Sequence, residues 1–172
     1  AGMTWLKANQ QLVNSLNVFP VPDGDTGTNM VLTMQAAYNE IANSGERNVG
    51  KVAHAAAQGA LMGARGNSGV ILSQIMRGFA RTLDNIEMLD GNLLIAALNE
   101  SKNTAYKGVV RPVEGTILTV AKDIAAAAET HSNTPMTLDW LESLVTAADL
   151  SVQKTPDLLP ILKQAGVVDS GG

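Results

Sequence analysis

A chain of 172 residues is long enough to bury one hydrophobic core, and we expect a single domain over residues 1–172. Its net charge of −4 and its lack of a basic stripe argue against a nucleic-acid partner, and no apolar run is long enough to cross a bilayer. The absence of cysteine excludes disulfides and thiolate metal sites and fits a reducing compartment, so we expect a cytoplasmic protein.

The pattern of apolar residues predicts an all-α fold. Ala and Leu supply most of the apolar content, aromatic residues make up only 3%, and helical periodicity recurs without strand-like alternation. Five helices are predicted over residues 3–16, 29–43, 49–63, 91–107 and 115–130. A further helix follows residue 69, and another starts after Thr137 as its N-cap. A short eighth helix begins after Pro156 or near Pro160 and ends at Gly166.

The loop after the first predicted helix, NVFPVPDGDTGTNM over residues 17–30, places Asp23 and Asp25 one glycine apart. Two such carboxylates repel each other unless a cation lies between them, and Gly24 allows a backbone that directs both to one point. A predicted helix N-terminus follows, and its free N–H groups attract anions. This loop therefore predicts a Mg²⁺–phosphate site, although an Asp-Gly pair is also common in solvated turns. An EF-hand is excluded, because Gly27 and Met34 would stand at its fifth and twelfth positions.

A second candidate is the segment Gly66-Asn67-Ser68-Gly69. Its glycines allow a ligand to approach the main chain, and Asn67 or Ser68 can cap the next helix or bind a phosphate oxygen. The alternative is a plain N-capped helix. Neither glycine-rich segment is a Walker A loop, which ends in Gly-Lys-Ser/Thr. Arg65 is a candidate phosphate contact beside this segment.

These segments resemble a known family. NVFPVPDGDTGTNM and GALMGARGNSGVILSQ, followed by PVEGTIL and GVVDSGG, closely resemble the N-terminal domain of bacterial fatty acid kinases. They are more distantly similar to the nucleotide-binding subunit of dihydroxyacetone kinases. The resemblance covers nearly the whole chain, and the four motifs occur in the same order.

The resemblance implies a fold and an activity. The implied fold is an eight-helix antiparallel barrel that binds Mg–ATP at one end, with aspartates holding one or two Mg²⁺ ions that bridge the phosphates. The implied reaction transfers the γ-phosphate of ATP to a fatty acid held by a separate carrier protein and gives an acyl phosphate. The chain would be a domain cut from a longer kinase, whose remaining domains are further partners. We expect such a fragment to bind ATP or ADP but not to phosphorylate a fatty acid alone.

The family's functional residues carry over by motif. Asp23 and Asp25 correspond to metal ligands. Dihydroxyacetone kinases place another aspartate about five residues earlier, where Val18 stands here, so the neighbouring Asn17 is the candidate third ligand. The implied nucleotide-binding residues are Thr26, Gly27, Thr28, Asn29, Asn67, Ser68, Gly69, Thr116, Asp169, Ser170 and Gly171. Relatives often carry a basic residue before Thr116, where this chain has Gly115, so a positive contact is predicted to be missing.

Two other functions remain open at the level of sequence. One is the nucleotide-binding subunit of a dihydroxyacetone kinase. The other is an all-α interaction module in which the acidic loop is only a turn. Magnesium-dependent nucleotide binding separates the interaction module from both kinases.

Overall fold

The computed structural model describes residues 1–172 and contains nine α-helices and no strand, which confirms the all-α prediction. The helices are α1 (Gly2–Ala8), α2 (Gln10–Ser15), α3 (Thr26–Ile41), α4 (Val49–Gly63), α5 (Gly66–Thr82), α6 (Gly91–Lys107), α7 (Ile117–Glu129), α8 (Leu138–Leu158) and α9 (Pro160–Ala165). No helix is both long enough and apolar enough to cross a membrane.

Several predicted helix ends are confirmed. Helices α4 and α6 have the predicted bounds. The hydroxyl of Thr137 accepts a hydrogen bond from the N–H of Trp140 and caps α8. Gly166 ends α9 in the left-handed conformation, with φ of 68°.

Other predicted ends are wrong. The helix predicted over residues 3–16 is two helices, because the backbone departs from helical geometry at Asn9. Helix α8 continues through Pro156, so the predicted start after Pro156 is wrong, whereas the alternative start at Pro160 is confirmed. Helix α3 starts at Thr26 rather than residue 29, and α5 starts at Gly66 rather than after residue 69. Residues 26–29 and Gly66–Gly69 therefore form the first turns of helices, while Asp23 and Asp25 lie in the loop before α3.

Small residues allow the helices that carry these motifs to pack closely. A Cβ atom at Gly63 of α4 would lie 2.1 Å from the Cβ of Ala36 in α3, and Ala60 is fully buried. A Cβ atom at Gly78 of α5 would lie 2.4 Å from the carbonyl oxygen of Glu100 in α6. The small residues of α4 thus bring α3 and α4 into close contact.

The packing of the helices follows chain order from α3 to α8, with α3 also contacting α5. One hydrophobic cluster joins α6, α7 and α8 through Leu94, Ala128, Trp140 and Leu144. Closure of the helices into an antiparallel barrel stays a prediction. The contact of α3 with α5 is what places the two motifs side by side.

Candidate functional site

A buried asparagine organises the loop that carries the two aspartates. The side-chain oxygen of Asn17 accepts a hydrogen bond from the backbone N–H of Asp25 at 3.1 Å. Its amide nitrogen donates to the carbonyl oxygens of Val21 at 3.1 Å and Phe19 at 3.4 Å. The side chain thereby fixes the loop to the start of α3. Its role as a third metal ligand stays a prediction.

Asp23 and Asp25 line the same cavity, as the sequence predicts. This cavity, which we call the acidic cavity, has a volume of about 190 Å³. Its lining is Asn17, Phe19, Pro20, Val21, Asp23, Asp25, Thr26, Asn29, Gly66, Asn67 and Ser68. Neither carboxylate forms an ion pair, and Asp25 precedes α3 without capping it through its side chain. Gly24 between them has a φ of +67°. Both carboxylates are therefore free to bind a cation.

Asp23 and Asp25 are the only carboxylates among the residues that line the acidic cavity. No group of three or more His, Cys, Asp or Glu side chains is placed to hold a metal. Any ion bound by Asp23 and Asp25 would complete its coordination with amide oxygens, water or ligand atoms. That is the usual way in which Mg²⁺ is bound together with phosphates.

The first turn of α5 also lines the acidic cavity, through Gly66, Asn67 and Ser68. The backbone N–H groups of Gly66, Asn67 and Ser68 have no hydrogen-bond partner in the chain, and the side chain of Arg65 does not cap the helix. Gly66 has a φ of +58°, and a Cβ atom there would lie 2.3 Å from the amide nitrogen of Asn29. An uncapped helix end of this kind can bind an anion, and it lines the same cavity as the two carboxylates.

A larger cavity adjoins the acidic one and shares Phe19, Pro20, Asn67 and Ser68 with it. This second cavity, which we call the apolar cavity, has a volume of about 390 Å³. The remaining lining is Val70, Ile71, Gly108, Val109, Val110, Arg111, Val113, Thr116, Ile117, Leu118, Asp169, Ser170 and Gly171. A mostly apolar cavity with a few polar groups is typical of small-molecule sites.

The C-terminal motif closes one wall of the apolar cavity. The backbone N–H of Asp169 donates to the Thr155 hydroxyl at 3.0 Å, and its carboxylate accepts from the N–H of Gly171 at 3.2 Å. The hydroxyl of Ser170 donates to the Thr26 hydroxyl at 3.1 Å. The Ser170–Thr26 hydrogen bond joins the C-terminal motif to the first turn of α3, and the contact with Thr155 joins it to α8. Thr116 also lines this cavity, where its hydroxyl caps α7.

Burial raises the pKa of Asp169 from 3.8 to about 6, although backbone N–H groups that donate to its carboxylate oppose the shift. The folded protein therefore binds this proton more tightly than the unfolded chain, and its free energy of unfolding falls as pH rises from about 4 to 6. Asp169→Asn removes this contribution. Between pH 4 and pH 7 we expect the unfolding free energy of the variant to rise by roughly 2 kcal/mol relative to that of wild type, measured by urea unfolding without nucleotide.

The exposed Asp149, which forms no ion pair, provides the control. The difference in unfolding free energy between Asp149→Asn and wild type should show no comparable trend over the same pH range. Parallel pH profiles for wild type and Asp169→Asn would contradict the assigned shift.

Four of the predicted site residues line neither cavity. Gly27 and Thr28 pack α3 against the preceding helices, where the Thr28 hydroxyl accepts hydrogen bonds from Gln10 and Asn14. A Cβ atom at Gly69 would lie 2.3 Å from the Thr33 hydroxyl oxygen, so Gly69 packs α5 against α3. The guanidinium of Arg65 donates to the carbonyl oxygen of Ala64. The structure therefore gives these four residues packing or local contacts.

Sequence reasoning missed the loop between α6 and α7. Val109, Val110 and Val113 line the apolar cavity, and so does Arg111. The missing positive contact at position 115 stays a prediction, and Arg111, four positions before Gly115, places a basic residue in the lining of this cavity. The sequence feature that could have indicated this loop is the single arginine in the apolar run VVRPV.

Comparison with known proteins identifies the family of this chain. The family model described as DAK2 domain matches residues 20–172. The chain belongs to the DAK2 domain family. It is related to dihydroxyacetone kinases, and the DAK2 domain is a kinase-related domain.

Relatives of this DAK2 domain occur in Staphylococcus aureus. The chain is 51% identical over 168 residues to proteins of strain bovine RF122 / ET3-1 and strain USA300, each named only as an uncharacterized protein. These matches cover 97% of this chain and 31% of each relative. The DAK2 domain therefore spans about a third of the length of these relatives.

Proposed function

We propose that this DAK2 domain binds Mg–ATP and is the ATP-binding domain of a fatty acid kinase. The kinase would transfer the γ-phosphate of ATP to a fatty acid held by a separate carrier protein, giving an acyl phosphate. The observation that carries this proposal is the set of chemical groups that line the two adjoining cavities. Two carboxylates without ion-pair partners and an uncapped helix N-terminus line one cavity, and an apolar cavity adjoins it.

The donor set of the acidic cavity fits Mg²⁺. Asp23 and Asp25 offer hard carboxylate oxygens, and the cavity has no His or Cys ligand. A typical zinc site is excluded, because such sites use nitrogen or sulfur ligands. One or two Mg²⁺ ions held there would neutralise the charge of the nucleotide phosphates. The mutual repulsion of the two carboxylates also favours a bound cation.

The rest of the joined cavities can hold the nucleotide itself. The free N–H groups at the start of α5 are placed to donate to phosphate oxygens, and Asn67 and Ser68 border both cavities. The apolar cavity, at about 390 Å³, would take the base and exclude water from it. Phosphoryl transfer depends mainly on positioning and on charge stabilisation, so this equipment suits a kinase. A fatty acid acceptor is already a carboxylate and needs no general base.

The proposal of a fatty acid as acceptor rests on the residues of the aspartate motif. The segment VPDGDTGTN and the valine at position 18, where dihydroxyacetone kinases place an aspartate, favour the fatty acid kinase resemblance. The whole kinase would contain further domains beyond this one, because the DAK2 domain covers 31% of its longer relatives. The acceptor and its carrier would be bound with the help of those domains.

Calorimetry and a reconstituted assay test this function. We expect the 172-residue domain to bind ATP and ADP only when Mg²⁺ is present, and to show no kinase activity alone. The full-length protein with a fatty-acid-loaded carrier should form acyl phosphate, which hydroxylamine traps. Absence of Mg²⁺-dependent binding would favour the interaction module, and phosphorylation of dihydroxyacetone in place of fatty acid would favour the other kinase.

A further inference from the structure

We propose that Arg111 binds a phosphate group of the nucleotide, and that Glu114 positions the loop that carries Arg111. The loop comprises residues 108–116 between α6 and α7, and we call it the Arg111 loop. This inference rests on the proposed function, and it adds to that function a residue that supplies positive charge. Neither residue belongs to the aspartate or glycine motifs.

Arg111 is the single basic residue among those that line the two joined cavities. Its side chain is exposed and makes no hydrogen bond or ion pair with the chain. The same cavities contain the carboxylates of Asp23, Asp25 and Asp169. A bound triphosphate would add further negative charge, and an arginine without a partner is well suited to bind it.

The Arg111 loop also offers an apolar edge beside the arginine. Val110 is 98% exposed, although it lines the apolar cavity with Val109 and Val113. A base in this cavity would remove part of the Val110 side chain from water, which is favourable. The loop therefore presents an apolar contact and a cation next to each other, as a nucleotide requires.

Glu114 fastens the Arg111 loop to the two helices that flank it. One carboxylate oxygen accepts a hydrogen bond from the Tyr106 hydroxyl of α6 at 2.9 Å. The other accepts from the Thr119 hydroxyl at 2.7 Å and from the Lys122 ammonium at 2.6 Å, both of α7. The backbone N–H of Gly115 donates to the Thr119 hydroxyl at 2.8 Å. Both oxygens of Glu114 are thus committed to holding the loop.

The charge state of Glu114 suits this role. Burial by itself would raise the pKa of Glu114, but the hydrogen bonds from Lys122, Thr119 and Tyr106 together lower it below its usual value. Burial and the hydrogen bond to Glu114 raise the pKa of Tyr106, so the phenol keeps its proton. Glu114, Tyr106 and Lys122 line neither cavity. Any influence of Glu114 on a ligand therefore acts through the Arg111 loop.

Binding of ATP and of adenosine to Arg111 variants tests the phosphate contact. We expect Arg111→Met to weaken Mg–ATP binding by about ten- to a hundredfold, the range for a lost charge-assisted hydrogen bond, and to leave adenosine binding unchanged. Arg111→Lys should restore most of the affinity. Arg47→Met is the matched control, because Arg47 is exposed and lines neither cavity, and it should bind like wild type.

A double-mutant cycle tests Glu114 as a positioning residue. Glu114→Gln should weaken Mg–ATP binding in the wild-type background and have little further effect in the Arg111→Met background. A purely structural role would give the same loss in both backgrounds, and additive losses would overturn the positioning role.

The outcomes separate this inference from the proposed function. Wild-type protein that does not bind Mg–ATP would overturn the proposed function. Wild-type binding together with full affinity in Arg111→Met would overturn only the role of Arg111. Equal losses for ATP and adenosine in Arg111→Met would also contradict a phosphate contact.

Discussion

Replacing Asp23 or Asp25 by asparagine is expected to abolish Mg²⁺-dependent ATP binding, with a loss of about a hundredfold or more in affinity. The proposed ion depends on two carboxylates, and an amide cannot supply the missing charge. Stability should stay near wild type, because neither carboxylate has an ion-pair partner in the folded chain. Isothermal titration calorimetry and a thermal melt of each variant measure the two effects separately.

Asp149→Asn is the matched control for these variants. Asp149 is an exposed carboxylate outside both cavities, so the substitution removes one negative charge without touching the site. It should bind Mg–ATP like wild type. Retained affinity in Asp23→Asn or Asp25→Asn would show that the carboxylates are not the ligands.

The second large effect is expected from Gly66→Ala, which should reduce Mg–ATP affinity by about tenfold or more. The new Cβ atom would lie 2.3 Å from the amide nitrogen of Asn29, so this side chain must move within the acidic cavity. The φ of +58° adds strain of about 1–2 kcal/mol for any residue with a Cβ. Calorimetry gives the affinity, and urea unfolding gives the stability.

Gly166→Ala separates strain from displacement of the site. Gly166 has a φ of +68°, but no atom lies within 4 Å of a Cβ placed there. The two variants should therefore lose similar stability, while only Gly66→Ala loses affinity. If both variants bind Mg–ATP like wild type, the close approach of Asn29 to α5 has no part in the site.

The aspartates could be predicted because their proximity is local. Asp23 and Asp25 are held together by one glycine, so no tertiary contact is needed to bring the carboxylates to the same cavity. The segment Gly66–Gly69 could also be identified as a candidate, since a glycine-rich segment before an apolar helical run is readable from sequence, although the helix begins at Gly66 rather than after this segment. The meeting of these two segments depends on the packing of α3 against α5.

The position at which α3 starts explains which predicted residues of its first turn do not line the acidic cavity. Because α3 starts at Thr26, residues 26–29 lie on different faces of its first turn. Thr26 and Asn29 are three residues apart and share a face, and both line the acidic cavity. Thr28 points to the other side and packs against α2. With α3 predicted to start at residue 29, this distinction could not be drawn.

The positions of Arg111 and Asn17 in the site could be recognised only from the tertiary structure. The arginine reaches the cavities because the loop after α6 lies beside the start of α5, a contact between residues far apart in sequence. Asn17 was considered only as a ligand, whereas its amide holds three backbone groups of the acidic loop. The hydrogen bonds of a side chain in an irregular loop do not follow from periodicity.

A crystal structure of the domain with Mg²⁺ and a nonhydrolysable ATP analogue tests the central claim most directly. We predict Mg²⁺ at about 2.1 Å from oxygens of Asp23 and Asp25, with phosphate oxygens completing its coordination and the base in the apolar cavity. A nucleotide bound elsewhere, or both carboxylates directed into solvent away from the bound nucleotide, would contradict it.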